Sequence, residues 1–359
     1  MDDSQRDFLE SLLDTASPSG FETPGQRVWI EYVSQFADDV RTDDYGNAVA
    51  VHEGDGDREI AIAGHGDEIG FMVRDITDDG FLQLSRIGGS DRTVTRGQHV
   101  TVHTDDGPVS GVVGQTAIHL RDRDEYSVDD VAEQHVDIGV GDGDAARERV
   151  EIGDPVTFAS GLESLTGTRL SARGMDNRVG IWTAAEALRA ASEADASATV
   201  YAVSTVQEEL GLQGAKMVGF DLDPDAVVAV DVTHATDTPD VPGKRSNGVE
   251  LGAGPVVARG SANHPQLVES LRSVADEENV DVQLEATGIR TGTDADAFYT
   301  QRGGVPSVNL GLPNRYMHTP VEVIDTADLT NAATLLGAFA VAAESLAPFG
   351  VDVDTASGG

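Results

Sequence analysis

The chain has 359 residues, of which 63 are Asp or Glu and 24 are Lys or Arg, and it contains no cysteine. Its length exceeds the usual size of a single domain, so we expect one large domain and a smaller one. The net charge of −39 argues against a nucleic-acid partner, which needs a basic face, and the lack of cysteine excludes disulfides and thiolate metal sites.

The chain opens with two predicted helices and two predicted strands. An amphipathic helix is expected over residues 4–14, and a second helix over residues 23–36 has Pro24 in its first turn. The short apolar runs at residues 48–51 and 59–63 are typical of buried strands. This part of the chain therefore carries both kinds of element.

Residues 71–162 show a different pattern, in which apolar and polar residues alternate. Two alternating runs flank an Asp106-Gly107 turn, which is typical of a β-hairpin. Further strands are predicted at residues 135–140 and 154–158. We interpret residues 71–162 as a small β-rich domain inserted into the larger one.

Helices and strands alternate again from residue 165 onward. The predicted elements are a helix at 177–191, strands at 198–204 and 227–232, a helix at 265–279, a strand at 305–310 and a helix at 326–346. This alternation predicts an α/β fold with a mixed, mostly parallel sheet and helices on both faces. Residues 1–70 and 163–350 would form the large domain, and residues 351–359 a flexible tail.

Polar side chains lie where the predicted strands end, and one begins a helix. They are His65, Asp67, Glu208, Glu209, Asp231 and His318, with Asp176 at the helix start. Loops at the carboxyl ends of strands in an open α/β sheet converge on the ligand crevice, so we expect these side chains to meet. Two imidazoles and several carboxylates suit a pair of zinc-type ions ~3.5–4 Å apart that share a bridging carboxylate and a water.

The residue types also suggest how the roles divide. His65 and His318 would each bind one metal, and Asp67, two residues after His65, is placed to orient its imidazole. Of the adjacent Glu208 and Glu209, one would bind metal, while the other stays free as a general base beside the bound water.

Five segments carry a resemblance to a known family. They are G-H-G-D-E-I-G, G-M-D-N-R, Q-E-E-L-G-L-Q-G-A, V-D-V-T-H-A-T-D-T-P and R-Y-M-H-T-P-V-E, and they span most of the chain. The chain resembles the metallo-aminopeptidase family M42, which includes the archaeal TET aminopeptidases. The resemblance implies a zinc-exopeptidase-like fold, the removal of N-terminal residues from short peptides, and assembly into a tetrahedron of twelve subunits. It also implies that residues 1–70 and 163–350 form the catalytic metallopeptidase domain and that residues 71–162 serve in dimerisation or assembly.

The resemblance also implies a role for each candidate residue. The implied metal ligands are His65, Asp176, Glu209, Asp231 and His318. Asp176 matches the bridging ligand, Glu208 the general base that takes a proton from the water between the metals, and Asp67 the residue that supports His65. The two divalent ions would be zinc, with cobalt or manganese as alternatives. A cis peptide bond is expected between Asp176 and Asn177.

Charge and the N-terminal sequence predict where the protein works. The acidic residues are spread along the whole chain, and Lys216 and Lys244 are the only lysines. This pattern favours adaptation to molar salt, where screening suppresses self-repulsion, and therefore a halophilic archaeon as the source. The first residues have neither a basic start nor an apolar core, and no stretch approaches the ~20 apolar residues of a membrane span. We therefore predict a cytoplasmic protein without a membrane partner.

Other functions remain open. A related di-zinc deacylase or carboxypeptidase would use a similar ligand set, with Arg245, Arg290 or Arg315 binding a substrate carboxylate. A metal-stabilised assembly module without enzymatic activity would have no use for a free Glu208. Two-carboxylate glycosidase chemistry is weaker, because it leaves the histidines unused.

Several further residues have no clear role in the sequence. Residues 291–294 resemble a family motif near the site, with a plain turn as the equal alternative. His234 and Asp237 would either line the site or have a structural role in their loop. The remaining histidines without carboxylate neighbours at strand ends are predicted to lie at the surface, namely His52, His99, His103, His119 and His135.

Overall fold

The computed structural model describes residues 1–121, 127–239, 241–351 and 353. Its strands are β1 (Asp39–Thr42), β2 (Ala48–His52), β3 (Glu59–His65), β4 (Gly70–Ile76), β5 (Leu82–Ile87), β6 (His99–Thr104), β7 (Gly107–Val113), β8 (His135–Asp137), β9 (Pro155–Phe158), β10 (Glu163–Ser164), β11 (Arg169–Ala172), β12 (Thr199–Thr205), β13 (Ala226–His234), β14 (Val256–Arg259), β15 (Gln283–Ala286), β16 (Ser307–Asn314) and β17 (Glu322–Asp325). Its α-helices are α1 (Asp3–Asp14), α2 (Thr23–Val33), α3 (Arg92–Thr95), α4 (Gly143–Arg147), α5 (Met175–Glu193), α6 (Gln213–Asp221), α7 (Pro265–Glu278), α8 (Ala295–Phe298) and α9 (Thr326–Leu346). Every helix and strand predicted above overlaps one of these elements.

The main sheet has eight strands in the order β1-β2-β12-β3-β13-β16-β14-β15. Its central strands pair in parallel: β12 with β3, β3 with β13, and β13 with β16. The pairs β1–β2, β2–β12 and β14–β16 are antiparallel. The predicted mixed α/β sheet is confirmed, with a parallel centre, antiparallel pairs on either side of it, and a parallel pair, β14–β15, at one edge.

Helices cover both faces of this sheet, as alternate residues of one strand demonstrate. Ile60 and Ile62 of β3 belong to the core beneath α5 and α9, whereas Ala61 and Ala63 belong to the core beneath α6 and α8. Successive side chains of a strand point to opposite faces, so a strand buried on both sides reads as a continuous apolar run. This explains the unbroken apolar pattern of β3.

Helix α9 is long and apolar enough to cross a membrane by length and composition alone. The expectation that no stretch of the chain approaches a membrane span does not hold for this helix. In the fold α9 packs against α5 and α7, and Leu329, Leu336 and Phe339 are fully buried in the core. Its apolar character therefore belongs to a packed core helix in this structure.

The strands β4 to β9 close into a barrel in the order β4-β5-β8-β7-β6-β9. The barrel has its own apolar core, which includes Phe71, Leu82, Val102 and Val156. The predicted hairpin is β6–β7, and Gly107 adopts a φ of +117° at its turn, a conformation that glycine tolerates best. The barrel lies within the block that the sequence predicts to be β-rich.

One histidine prediction is wrong. His52 is only 5% exposed, and its Nε2 lies 2.9 Å from the carbonyl oxygen of Ala196. It ends β2, which is buried along its whole length between β1 and β12, so strand position outweighs residue type. His99, His119 and His135 are exposed as predicted, and His103 is half-buried.

Two predicted elements differ from the observed ones in where they end. Helix α2 ends at Val33 rather than at residue 36, and the strand predicted at 305–310 runs to Asn314. The predicted flexible tail, residues 351–359, lies outside the described residues except for Val351 and Val353.

Candidate metal centre

The predicted site residues come together at one edge of the main sheet. His65 ends β3, Glu208 and Glu209 follow β12, and Asp231 lies near the end of β13. Because β12, β3 and β13 are parallel neighbours, their carboxyl ends meet at the same edge. His318 reaches this edge from the turn between β16 and β17.

Asp176 comes to the edge because α5 approaches β3 very closely. A Cβ atom added to Gly64 would lie 2.8 Å from the backbone carbon of Gly180 and 2.9 Å from the nitrogen of Ile181. Glycine at position 64 therefore permits the contact that sets the start of α5 beside His65. The predicted cis peptide bond between Asp176 and Asn177 is present.

Asp176 lies between the two imidazoles. Its Oδ1 is 3.2 Å from Nε2 of His65, and its Oδ2 is 3.1 Å from Nε2 of His318. Each carboxylate oxygen thus faces a different histidine, which is the arrangement that a bridging ligand needs.

The remaining carboxylates divide between the two histidines. Nε2 of His65 lies 3.6 Å from Oδ1 of Asp231 and 3.8 Å from Oε2 of Glu208, and Nε2 of His318 lies 3.2 Å from Oε1 of Glu209. Around a tetrahedral ion with bonds of 2.0–2.1 Å, ligand atoms lie roughly 3.3 Å apart. The distances between these nitrogen and oxygen atoms fit two neighbouring ions.

Charge balance gives a further test of whether cations fit the site. Glu208, Asp231 and Asp176 are at most 8% exposed, and no lysine or arginine forms an ion pair with them in the described part of the chain. Burial raises the pKa of Glu208 to about 10 and also raises the pKa of Asp231. Burial lowers the pKa of His318, but the adjacent carboxylates of Asp176 and Glu209 outweigh it and raise that pKa to about 11.

These shifts mean that, without cations, the protein offsets the negative charge of the carboxylate cluster only by keeping extra protons on its side chains. Divalent cations supply the same positive charge, and imidazole nitrogen with carboxylate oxygen is a donor set that zinc-type ions accept. The residues present therefore fit a metal site.

Asp67 holds His65 and the segment after β12 at once. Nδ1 of His65 lies 3.3 Å from its Oδ1, which leaves Nε2 facing the candidate ligand cluster. Asp67 also accepts hydrogen bonds from the backbone amides of Glu208 and Glu209 at 3.0 and 3.2 Å, and from the Ser19 hydroxyl at 2.6 Å. Burial raises the pKa of Asp67, but the hydrogen bonds from His65 and Ser19 lower it below its usual value.

Glu322 is a site residue that the sequence reasoning missed. Its two carboxylate oxygens accept hydrogen bonds from the backbone amides of His318 at 2.8 Å and Asp176 at 2.9 Å. It is 1% exposed, and burial raises its pKa to about 8. Its place in the R-Y-M-H-T-P-V-E segment, four residues after His318, was the available signal.

A buried ion triad, also missed, joins the segment after β3 to the start of α5. Glu68 accepts hydrogen bonds from Nη1 of Arg173 at 2.7 and 2.5 Å and from Nη2 of Arg178 at 2.9 Å. Burial alone raises the pKa of Glu68, but the two guanidinium groups lower it to about 2. The triad therefore ties the strand that carries His65 to the helix that carries Asp176.

A cavity of about 630 Å³ adjoins the candidate ligands. Residues 291–293 line it, and Asp294 accepts a hydrogen bond from the Thr205 hydroxyl at 2.6 Å. His234 also lines the cavity. The loop predicted as either a turn or a substrate contact therefore borders the same space as the ligand cluster.

The three arginines proposed for a substrate carboxylate differ in position. Arg290 lines the cavity. Arg315 donates from Nε to Oδ1 of Asp237 at 2.7 Å, so both side chains are engaged in a loop contact. Arg245 lies in the loop after β13 and is not among the described residues that line the cavity.

The chain matches a family of known peptidases over most of its length. The M42 glutamyl aminopeptidase family matches residues 46–335. The lysyl aminopeptidase of Pyrococcus furiosus is 33% identical over 333 residues, which cover 92% of this chain and 94% of that protein.

Two solved structures share the fold over nearly their whole length. The TET aminopeptidase of a marine sediment Thaumarchaeota archaeon has a TM-score of 0.89 and 30% identity, and the match covers 94% of this chain and 95% of that one. The TET1 peptidase of Pyrococcus horikoshii has a TM-score of 0.84 and 30% identity, and the match covers 94% and 99%.

The chain therefore belongs to the M42 family of peptidases. It is a hydrolase that acts on peptides, and its relatives are aminopeptidases. Peptidases of this family depend on metal ions, and the described residues include two groups of candidate ligands: His65, Glu208 and Asp231, and Asp176, Glu209 and His318.

Proposed function

We propose that the chain is a two-metal aminopeptidase that removes N-terminal residues from short peptides. In this proposal His65, Asp231 and one oxygen of Asp176 hold one cation, and Glu209, His318 and the other oxygen of Asp176 hold the second. The observation that carries the proposal is the position of Asp176, whose two oxygens lie 3.2 and 3.1 Å from the two imidazoles. Zinc is the proposed metal, with cobalt or manganese as alternatives.

Glu208 is the proposed general base. Its Oε2 lies 3.8 Å from Nε2 of His65, so Glu208 stands beside the proposed ligands, and the base role is assigned to it because its neighbour Glu209 faces His318 and completes the second ligand set. Its raised pKa of about 10 describes a carboxyl group that holds a proton strongly when the cluster lacks other positive charge. Bound cations would polarise a water and the scissile carbonyl. Glu208 would take a proton from that water and return it to the leaving amine.

Asp67 supports this chemistry by orienting the residues around it. With Asp67 at its Nδ1, His65 keeps Nε2 directed at the cation. The same carboxylate holds the amides of Glu208 and Glu209, so the proposed base and its neighbouring ligand keep a fixed separation.

The substrate class follows from the family and its relatives. The family name specifies glutamyl substrates, and the name of the Pyrococcus furiosus relative specifies lysyl substrates. These side chains carry opposite charges, so the proposal extends to short peptides with a free amine as a class. The alternative, a deacylase of acylated amino acids, would use Arg290 at the cavity to bind a carboxylate.

Two comparisons test the proposed function. Glu208→Gln should retain fold and metal and lose turnover, because the amide cannot accept the proton. Asp225→Asn is the control, because Asp225 precedes β13 and pairs with Arg58, at the opposite end of the parallel strands. Unchanged turnover in Glu208→Gln would rule out the base role. A peptide with a free amine should be cleaved while its N-acetylated form is not, and the reverse result would favour the deacylase.

We also propose that the protein forms a homo-oligomer, a tetrahedron of twelve subunits, with residues 71–162 as a separate assembly domain. The support is the Pyrococcus horikoshii TET1 peptidase, which assembles into a tetrahedron or a large octahedral shell. Light scattering tests this, with an expected mass about twelve times the 37.7 kDa of the chain. A monomer at every salt concentration would contradict it.

The acidic composition supports a further proposal, a halophilic archaeal source, and we also propose the cytoplasmic location predicted from the sequence. A net charge of −39 per subunit repels strongly unless salt screens it. We expect dissociation or inactivation in dilute buffer and recovery in molar KCl. Full activity and an intact assembly after dialysis into dilute buffer would contradict the salt adaptation.

A further inference from the structure

Four consecutive backbone amides just after β12 each donate a hydrogen bond to a side chain from a remote segment. The pairs are Val206 with Asn47 at 2.9 Å, Gln207 with Glu22 at 3.1 Å, Glu208 with Asp67 at 3.0 Å, and Glu209 with Asp67 at 3.2 Å. Buried amides beyond the end of a strand need such partners, so these side chains fix the path of the segment. Its path in turn sets where the carboxylate of Glu208 lies.

Glu22 and Asn47 are the acceptors in this set to which no role has been given so far, and Glu22 is the one that holds the residue directly before Glu208. It is 4% exposed, and its Oε1 accepts hydrogen bonds from the amides of Gly20 at 2.7 Å and Gln207 at 3.1 Å. Glu22 occupies the N-cap of α2 but makes no side-chain cap bond there. Its carboxylate therefore joins the loop at Gly20 to the segment after β12 and does not cap its own helix.

The residue that Glu22 holds has an unusual backbone conformation. Gln207 has a φ of +54°, in the left-handed region that non-glycine residues adopt only when their surroundings hold them there. Gln207 directly precedes Glu208. A change in its backbone would move the Glu208 side chain, whereas the opposite face of the site, with Glu322 behind Asp176 and His318, would remain in place.

We propose that Glu22 is a positioning residue for the reaction, whose Oε1 holds the Gln207 amide and thereby aims the Glu208 carboxylate at the attacking water. The inference rests on the proposed role of Glu208 as base. Glu22 acts through the backbone of one residue and touches none of the candidate metal ligands with its side chain in the described hydrogen bonds. It therefore governs turnover rather than metal binding.

The hydrogen-bond-accepting oxygen of Glu22 matters here more than the negative charge of its side chain. A single atom, Oε1, accepts both hydrogen bonds, and glutamine keeps that atom. Burial raises the pKa of Glu22 to about 7, with Asp67 adding to the rise, so a neutral side chain is already compatible with this position near neutral pH. Glu22→Gln is thus the conservative variant that should rescue function, and Glu22→Ala the one that removes the acceptor.

The test compares Glu22→Ala, Glu22→Gln and Glu208→Gln with a matched control, Asp328→Ala. Asp328 is a fully buried carboxylate that also accepts two backbone amides, those of Gly252 and Gly254, both at 2.8 Å, and it does not line the cavity. Turnover and KM on an aminoacyl fluorogenic substrate, zinc content and the thermal unfolding midpoint are measured for each full-length variant in molar KCl. If Glu22→Ala cannot be recovered as a folded protein, Glu22→Asp, whose side chain is one methylene shorter, takes its place in the same measurements.

We expect Glu22→Ala to lose ~10–100-fold in kcat, with KM and zinc content nearly unchanged, because a small misplacement of a reacting group costs this much. Glu22→Gln should retain most of the turnover, and Asp328→Ala should lose thermal stability without a comparable fall in kcat. The inference is overturned if Glu22→Ala matches the control in kcat, if its zinc content falls in step with kcat, or if Glu22→Gln is as impaired as Glu22→Ala. An active Glu208→Gln enzyme would instead overturn the proposed base, which separates the two failures.

Discussion

The buried triad of Glu68, Arg173 and Arg178 makes a strong prediction about stability. Replacing Glu68 with glutamine leaves two guanidinium groups, 8% and 1% exposed, without their counterion. The pKa of Glu68 falls from 4.5 to about 2, and this shift corresponds to about 3 kcal/mol of favourable interaction. Breaking a buried ion pair on one side typically costs about 3–5 kcal/mol, so we expect a loss of this size in the free energy of unfolding.

The pH dependence of this contribution has a definite sign. Because the pKa of Glu68 is lower in the folded state than in the unfolded state, its stabilisation is fully present above pH 4.5 and is lost as the pH falls toward 2. The difference in unfolding free energy between wild type and Glu68→Gln should therefore be largest at neutral pH and shrink in acid. Molar salt should change it little, since a buried pair is screened far less than an exposed one.

Urea unfolding in molar KCl at one protein concentration measures this difference. The control is Glu10→Gln, which removes a half-exposed i,i+4 pair with Arg6 and should change the unfolding free energy by about 0.5 kcal/mol or less. If Glu68→Gln unfolds at the same urea concentration as Glu10→Gln, or if its deficit does not diminish in acid, the reasoning about the triad is refuted.

Two further predictions concern the supports of the metal centre. Asp67→Ala should weaken zinc binding ~10–100-fold, because Nδ1 of His65 loses the carboxylate 3.3 Å away. Competition with a chromophoric chelator measures the zinc affinity. An unchanged affinity would contradict the proposed role of Asp67. Gly64→Ala should destabilise the fold by about 1–3 kcal/mol, because the new methyl would lie 2.8 Å from the backbone of Gly180. The control is the same change at exposed Gly141, where an added Cβ meets no atom within 4 Å. Thermal unfolding should show this control to be nearly neutral.

The main sheet and the ligand cluster could be predicted from the sequence because both depend on local patterns. Unbroken apolar runs mark strands such as β3 and β13, which are buried on both faces, and the polar residues at their ends stand out against them. Once the strands are parallel neighbours, the meeting of His65 and Asp231 follows from topology.

The supports of the site were not predictable in the same way, because they depend on pairs far apart in the chain. Glu68 and Arg173 are separated by 105 positions, and Glu22 and Gln207 by 185. In a chain with 63 acidic residues, a buried glutamate carries no local mark that distinguishes it from a surface charge. His52 illustrates the same limit, since only its neighbours in the sheet reveal that it is buried.

The central claim is that two cations are bound on either side of Asp176. A crystal structure of the zinc-loaded protein, with anomalous difference maps measured at the zinc edge, tests it most directly. The account predicts two peaks ~3.5–4 Å apart, one beside His65 and Asp231 and the other beside Glu209 and His318, with Asp176 contacting both. A single peak, or two peaks that Asp176 does not join, would contradict it.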